Sequence, residues 1–279
     1  MVQNILLCTD GSVYAIVATE YALWLARRLN SPVRAAHITD IRQLEWPLLA
    51  DLSGAVGAQP YQAMLPHVQQ YHQDKARVIL DTVEQMAHKR GVKCSTVHKK
   101  GRLVEAILEE EQRADLLVIG QRGEHAEHSA EMMGSSVERI VRRSIKPCLV
   151  TPGKFHEIAR ILIAYDASEP ATRALKQGLD FAAALKLPVI IVTVTVDDTL
   201  GGDAKLADAV AMAKAKRVNA DAHLLKGHAE TEILRFAEEQ KMGLIVMGAY
   251  GHSRIREFIL GSTTTHVIRK AHAPVLLMR

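Results

Sequence analysis

Apolar residues in this chain occur in two alternating kinds of run: short continuous stretches and longer stretches with helical spacing. In the second half the short runs are 161–165, 189–196, 220–225, 244–248 and 275–278. They are rich in β-branched residues and show little polar alternation, which marks strands buried on both faces. Between them, 170–185 sets Leu175, Leu179, Ala182 and Ala183 on one helical face. The stretches 204–217, 230–240 and 263–270 read as helices in the same way. Strands alternating with helices predict a parallel sheet covered on both sides. Right-handed crossovers then make it a doubly wound α/β fold.

The pattern is written twice. NILLCTDGS near the start returns as RILIAYDAS at 160–168, and KKGRLVEAIL returns as LKGHAETEIL. DLLVIGQRG returns as GLIVMGAYG, and GSSVERIVRRSIKPCLVTP returns as GSTTTHVIRKAHAPVLLMR. Blocks repeated in one order indicate a tandem duplication. Pro152 and Gly153 mark its seam. The expected domains are therefore 1–153 and 154–279, each with a five-stranded sheet. His37 matches Thr193, 156 positions on, whereas Gly101 matches Gly227, 126 positions on. The first copy thus carries about 30 extra residues, most of them within 41–74. That segment reads as a partly helical flap packed on its own domain, or as a lid or partner surface.

Composition narrows the class. Apolar residues make up 48% and charged residues 24%, enough apolar material for two cores, which excludes global disorder. The net charge is +4, and it is spread: 18 basic against 17 acidic residues before the seam, 17 against 14 after it. Neither half is the concentrated basic module that nucleic-acid binding needs. No apolar run reaches the roughly 18–20 residues of a membrane span, and the N-terminus lacks the features of a leader. Cys8, Cys94 and Cys148 are odd in number and form no CxxC. Together these features lead to an expected cytoplasmic location.

The informative chemistry follows the fourth strand of each copy. In the second, Gly248-x-x-Gly251 is followed by nine residues and then Gly261-Ser262-Thr263, which opens a helix. Glycines allow close approach of backbone to a ligand. The N–H groups and dipole of a helix start favour an anion. The first copy has Gly120-x-x-Gly123 and Gly134-Ser135-Ser136. Each first strand also ends in an aspartate, Asp10 or Asp166, followed two residues later by Ser12 or Ser168. Either aspartate could cap the next helix. In a doubly wound sheet it would equally face the crevice where strand order reverses.

On these residues the chain resembles a tandem universal stress protein over essentially its whole length. The family's nucleotide pattern, G-x2-G-x9-G-[S/T], is matched at Gly248, Gly251, Gly261 and Ser262. The resemblance implies strand order 3-2-1-4-5 and ATP or a related adenine nucleotide, with Mg²⁺, in the strand 1/4 crevice. By position, Asp166 and the backbone at Val194 would meet the adenosine. Gly248 and Gly251 would flank ribose and phosphates, and Gly261, Ser262 and Thr263 would hold phosphate. The resemblance also implies pairing of the halves through their last strands, 148–151 and 275–278. A homodimer of tandems is the further arrangement it leaves open.

The first copy departs from the pattern, with ten residues between Gly123 and Gly134. That loop carries Glu124, Glu127 and Glu131, whereas the second carries His252, Arg254 and Arg256 against Glu257. Carboxylates repel a triphosphate and cations attract it. The nucleotide is therefore expected in the second domain. Asp10, Ile38, Gly120, Gly123, Gly134, Ser135 and Ser136 would form a degenerate site. No P-loop lysine or nucleophile elbow is present, so a sensor or regulator is expected, with at most slow hydrolysis. No metal site is assigned. His125 and His128 in EHAEH are competent zinc ligands without a third histidine beside them. The alternative reading is an interaction or metal-binding module that works through the insertion or that loop.

Overall fold

A computed structural model describes residues 2–41, 59–124, 134–196, 201–249 and 260–278. The first half runs β1 (Ile5–Cys8), α1 (Val13–Leu29), β2 (Val33–Asp40), α2 (Gln59–Lys89), β3 (Cys94–Gly101), α3 (Leu103–Glu111), β4 (Leu116–Gly120), α4 (Ser135–Arg143) and β5 (Cys148–Thr151). The second repeats it as β6 (Ile161–Ala164), α5 (Glu169–Leu185), β7 (Val189–Thr195), α6 (Gly201–Ala215), β8 (Ala220–Lys226), α7 (Ala229–Glu239), β9 (Leu244–Gly248), α8 (Ser262–Lys270) and β10 (Val275–Met278).

Within each half the strands are parallel and ordered 3-2-1-4-5. The two five-stranded sheets are continuous. β5 and β10 pair antiparallel, Val150 opposite Val275, Leu149 opposite Leu276 and Cys148 opposite Leu277, giving one ten-stranded sheet. Its outer strands are β3 and β8. Their side chains are only partly buried, as befits strands with one neighbour. One apolar cluster fills the space under α1, α2, α5 and α6, and a second fills the opposite face under α3, α4, α7 and α8. Each cluster runs through both halves, so the duplication buries one core per face.

Local signals set the helix ends. Ser12 and Ser168 cap α1 and α5, each hydroxyl accepting an N–H at 3.2 Å, from Ala15 and Ala171. Both helices end on a left-handed residue, Asn30 and Lys186. Helix α6 starts at Gly201, three residues before its sequence-predicted start. A Cβ at position 202 would lie 2.6 Å from Leu224 Cδ1, so a glycine inside the helix lets β8 close in.

The insertion is in part an extended helix. Leu80, Val83 and Ala87 of α2 occupy the core positions of Leu206, Ala209 and Ala213, each 126 residues later. By the same offset Lys75 corresponds to Gly201, where α6 begins. Helix α2 continues back from Lys75 to Gln59, about 24 Å of extra helix at 1.5 Å per residue. Residues 42–58 of the insertion lie outside the described residues.

Candidate functional site

Strand order reverses between β1 and β4 and again between β6 and β9, so each half has a crevice beyond the carboxyl ends of those strands. Asp10 and Asp166 stand at these ends, and each closes a tight turn. Asp10 Oδ1 accepts the Ser12 N–H at 3.0 Å, and Asp166 Oδ1 accepts the Ser168 N–H at 2.9 Å. The intervening residue is left-handed in both turns: Gly11 at φ +80° and Ala167 at φ +66°. In the first half Asp10 Oδ2 also accepts the Glu124 N–H at 2.8 Å, which ties the β1 turn to the loop after β4. A Cβ on Gly123 would lie 2.8 Å from that same oxygen.

Gly120 and Gly248 have a packing role. A Cβ on Gly248 would lie 2.9 Å from the Pro170 carbonyl carbon and 3.0 Å from the Ala171 nitrogen. A Cβ on Gly120 would meet Tyr14 just as closely. The end of the fourth strand therefore rests directly on the first turn of the helix after the first strand. Gly134 and Gly261 precede α4 and α8, and neither helix has a side-chain hydrogen bond capping its start. The first-turn N–H groups, including those at Ser135 and Ser136 or at Ser262 and Thr263, are donors without a helical acceptor. Thr264 is buried and donates its hydroxyl to the Gly248 carbonyl at 3.3 Å, which fastens the start of α8 to the end of β9. Val137 stands at the corresponding place in α4.

Val194 and Ile38 lie near the carboxyl ends of β7 and β2. The residues just before them distinguish the halves. Thr193 donates to the Tyr165 carbonyl at 2.8 Å, and His37 Nδ1 donates to the Thr9 carbonyl at 2.9 Å. One backbone acceptor is thus satisfied by a hydroxyl in one half and an imidazole in the other. Gly251, His252, Arg254, His125 and His128 lie outside the described residues. Among the described residues no group of three or more His, Cys, Asp or Glu side chains could hold a metal ion.

The first crevice is bridged by the chain itself. Lys75 Nζ on α2 is 2.5 Å from Glu124 Oε1, and a Cβ on Gly11 would lie 2.8 Å from Ile79 Cγ1. The Glu124 charge is therefore compensated by Lys75. His72 lies on the same helix, and His98 Nε2 is 2.9 Å from Thr39 Oγ1. Burial, chiefly, lowers the pKa of His37, His72 and His98 below the ordinary imidazole value. Sequence spacing gives no sign of this cluster, because its members are 26 or more positions apart.

Gln121 links the two halves. Its N–H donates to the Thr151 carbonyl at 2.9 Å, and its own carbonyl accepts the Gly134 N–H at 3.3 Å. Its buried side-chain amide donates to the Ile268 carbonyl in the last turn of α8. A residue beside the first glycine pair thereby caps the C-terminal end of the helix that opens at Ser262.

A family model described as the universal stress protein family matches residues 1–152 and, separately, 157–279. The universal stress protein Slr1230 of Synechocystis is 35% identical over 287 aligned residues, covering 99% of this chain and all of that protein. A universal stress protein of Thermus aquaticus is 35% identical over 133 residues, covering 43% of this chain and 97% of its own length. The crystal structure of a universal stress protein from Archaeoglobus fulgidus superposes with a TM-score of 0.74 at 22% identity, covering 99% of this chain and 96% of that one. Among the described residues no helix is long and apolar enough to cross a membrane.

Proposed function

The chain belongs to the universal stress protein family, and from that premise we propose that it is a stress-response regulator binding an adenine nucleotide in its second half. Residues 1–153 and 154–279 are read as two domains of unequal role. The observation that carries this reading is the contrast between the crevices. Lys75 of α2 pairs with Glu124 and Ile79 packs beside Gly11 at the first, whereas the matching positions of α6 hold Gly201 and Lys205.

The donor set of the second half fits a polyphosphate. The N–H groups at the start of α8 lack a side-chain cap, and Ser262 and Thr263 add hydroxyls beside them. Gly261 keeps side-chain bulk out of the approach. Asp166 and the Val194 backbone would take the adenosine, and Gly248 and Gly251 would border ribose and phosphates. His252 and Arg254 would add positive charge near the phosphates, with Mg²⁺ accompanying them. ATP is the ligand we favour, with sensing rather than efficient hydrolysis as the role.

Two measurements test this reading. Freshly purified protein is denatured and its supernatant assayed for adenine nucleotide, and the folded protein is titrated with ATP-Mg²⁺ in a thermal-shift assay. A ligand at 100 times its Kd stabilises the native state by about 2.7 kcal/mol. Absence of bound nucleotide together with no shift at millimolar ATP would refute it.

A further inference from the structure

The first half assembles groups that nucleotide binding in the second half leaves unused. Three imidazoles converge from three elements: His37 on β2, His98 on β3 and His72 on α2. The His37 and His98 ring centroids are 5.7 Å apart. The Thr9 carbonyl can only accept, so it holds the neutral His37 ring with its proton on Nδ1. His72 lies one turn before Lys75, on the part of α2 that precedes the position matching Gly201, where the described part of α6 begins. Lys75 reaches across to Glu124, and one turn further Ile79 lies against Gly11. An ion pair, an apolar contact and the imidazole cluster thus fasten α2 beside the crevice between β1 and β4.

We propose that the first half is an acid sensor: α2 closes its crevice at neutral pH and releases it when the cluster of His37, His72 and His98 takes up protons. The sensing function is independent of nucleotide binding in the second half. The charges facing the cluster come from every element around it. Asp10 after β1 and Glu124 after β4 are acidic, and Lys75 on α2 and Lys100 on β3 are basic. Among the described residues these two acidic and two basic groups balance, so that set holds no surplus carboxylate for protons added to the imidazoles. Burial is the largest influence on each ring; the neighbouring cations add to it at His72 and His98, whereas at His37 the Thr9 carbonyl, Asp10 and Glu124 offset part of it.

The sign follows from linkage. Closed, the imidazoles hold protons less tightly than they do in solvent. Opening therefore takes up protons once the pH falls below the solvated imidazole value of about 6.5. Closure is complete above that value and is lost below it. Each proton taken up on opening favours the open form about tenfold per pH unit.

Native-state amide hydrogen exchange on the full chain tests the proposal, with peptides from 59–75 followed at pH 7.5 and 5.0 and rates corrected for the intrinsic pH effect. Protection of these peptides should fall at least tenfold at pH 5.0, while peptides from 201–215 in α6 hold theirs. A triple variant, His37→Thr, His72→Gln and His98→Leu, carries at 37 and 98 the residues found at the matching positions Thr193 and Leu224. It should keep its protection at pH 5.0. If it fails to fold, His72→Gln alone, at a half-buried site on α2, must show a smaller drop than the parent chain. Unchanged protection in the parent, an equal loss in α6, or a variant that opens like the parent would each overturn the proposal.

Discussion

Gly248→Ala separates a packing role from a ligand role for the glycine that opens the second motif. The new Cβ would sit 2.9 Å from the Pro170 carbonyl carbon and 3.0 Å from the Ala171 nitrogen, and backbone cannot turn aside as a side chain can. Relief requires β9 and the first turn of α5 to separate. That movement also strains the cap in which Ala171 donates to Ser168 Oγ. Overpacking of this kind costs about 1–3 kcal/mol. Loss of unfolded-state freedom on replacing glycine returns about 0.4–1 kcal/mol. The net is a destabilisation of about 1–2 kcal/mol, or a fall in Tm of roughly 2–8 °C for a chain of this size. Gly134→Ala is the control. Among the described residues its Cβ would meet nothing nearer than Val137 Cγ2 at 3.5 Å, an ordinary contact, so its Tm should stay close to that of the parent. Scanning calorimetry at one scan rate reads both. A Gly248→Ala variant within about 1 °C of the parent, or a Gly134→Ala variant falling as far, would refute the packing argument.

Other outcomes follow from the same geometry. Gly261→Val should abolish the nucleotide-induced thermal shift, and Gly134→Val should leave it intact; equal behaviour would show that the two crevices are not functionally distinct. Gln121→Ala removes the donor to the Ile268 carbonyl, which should cost about 1–3 kcal/mol by chemical denaturation and speed amide exchange in the last turn of α8. An unchanged denaturation midpoint would mean that the link between the halves contributes nothing to stability.

Much of the fold was legible because its strands are buried on both faces. Continuous apolar runs such as Leu244–Gly248 and Val275–Met278 have no other common explanation when helical stretches separate them. The duplication was legible because its copies keep their blocks in order. The extension of α2 was harder to read. Its segment mixes apolar residues with Gln59, Pro60 and Pro66, and Pro66 lies inside the helix, where proline normally argues against one. The start of α6 was misplaced for a related reason: the Gly201-Gly202 pair reads as a break until Leu224 is seen packed against it.

Sequence alone determined the class of fold, its repetition and the glycine, serine and aspartate positions at the strand ends, because periodicity and short motifs are local properties. Tertiary structure decided what those positions do. It placed Gly248 on the first turn of α5, tied Asp10 to the Glu124 N–H and brought β5 against β10 to merge two sheets into one. It also assembled His37, His72 and His98 beside Lys75 and carried α2 across one crevice. These are contacts between residues far apart along the chain. They depend on crossover direction, sheet register and the length of one helix, and no local pattern of residues encodes any of the three.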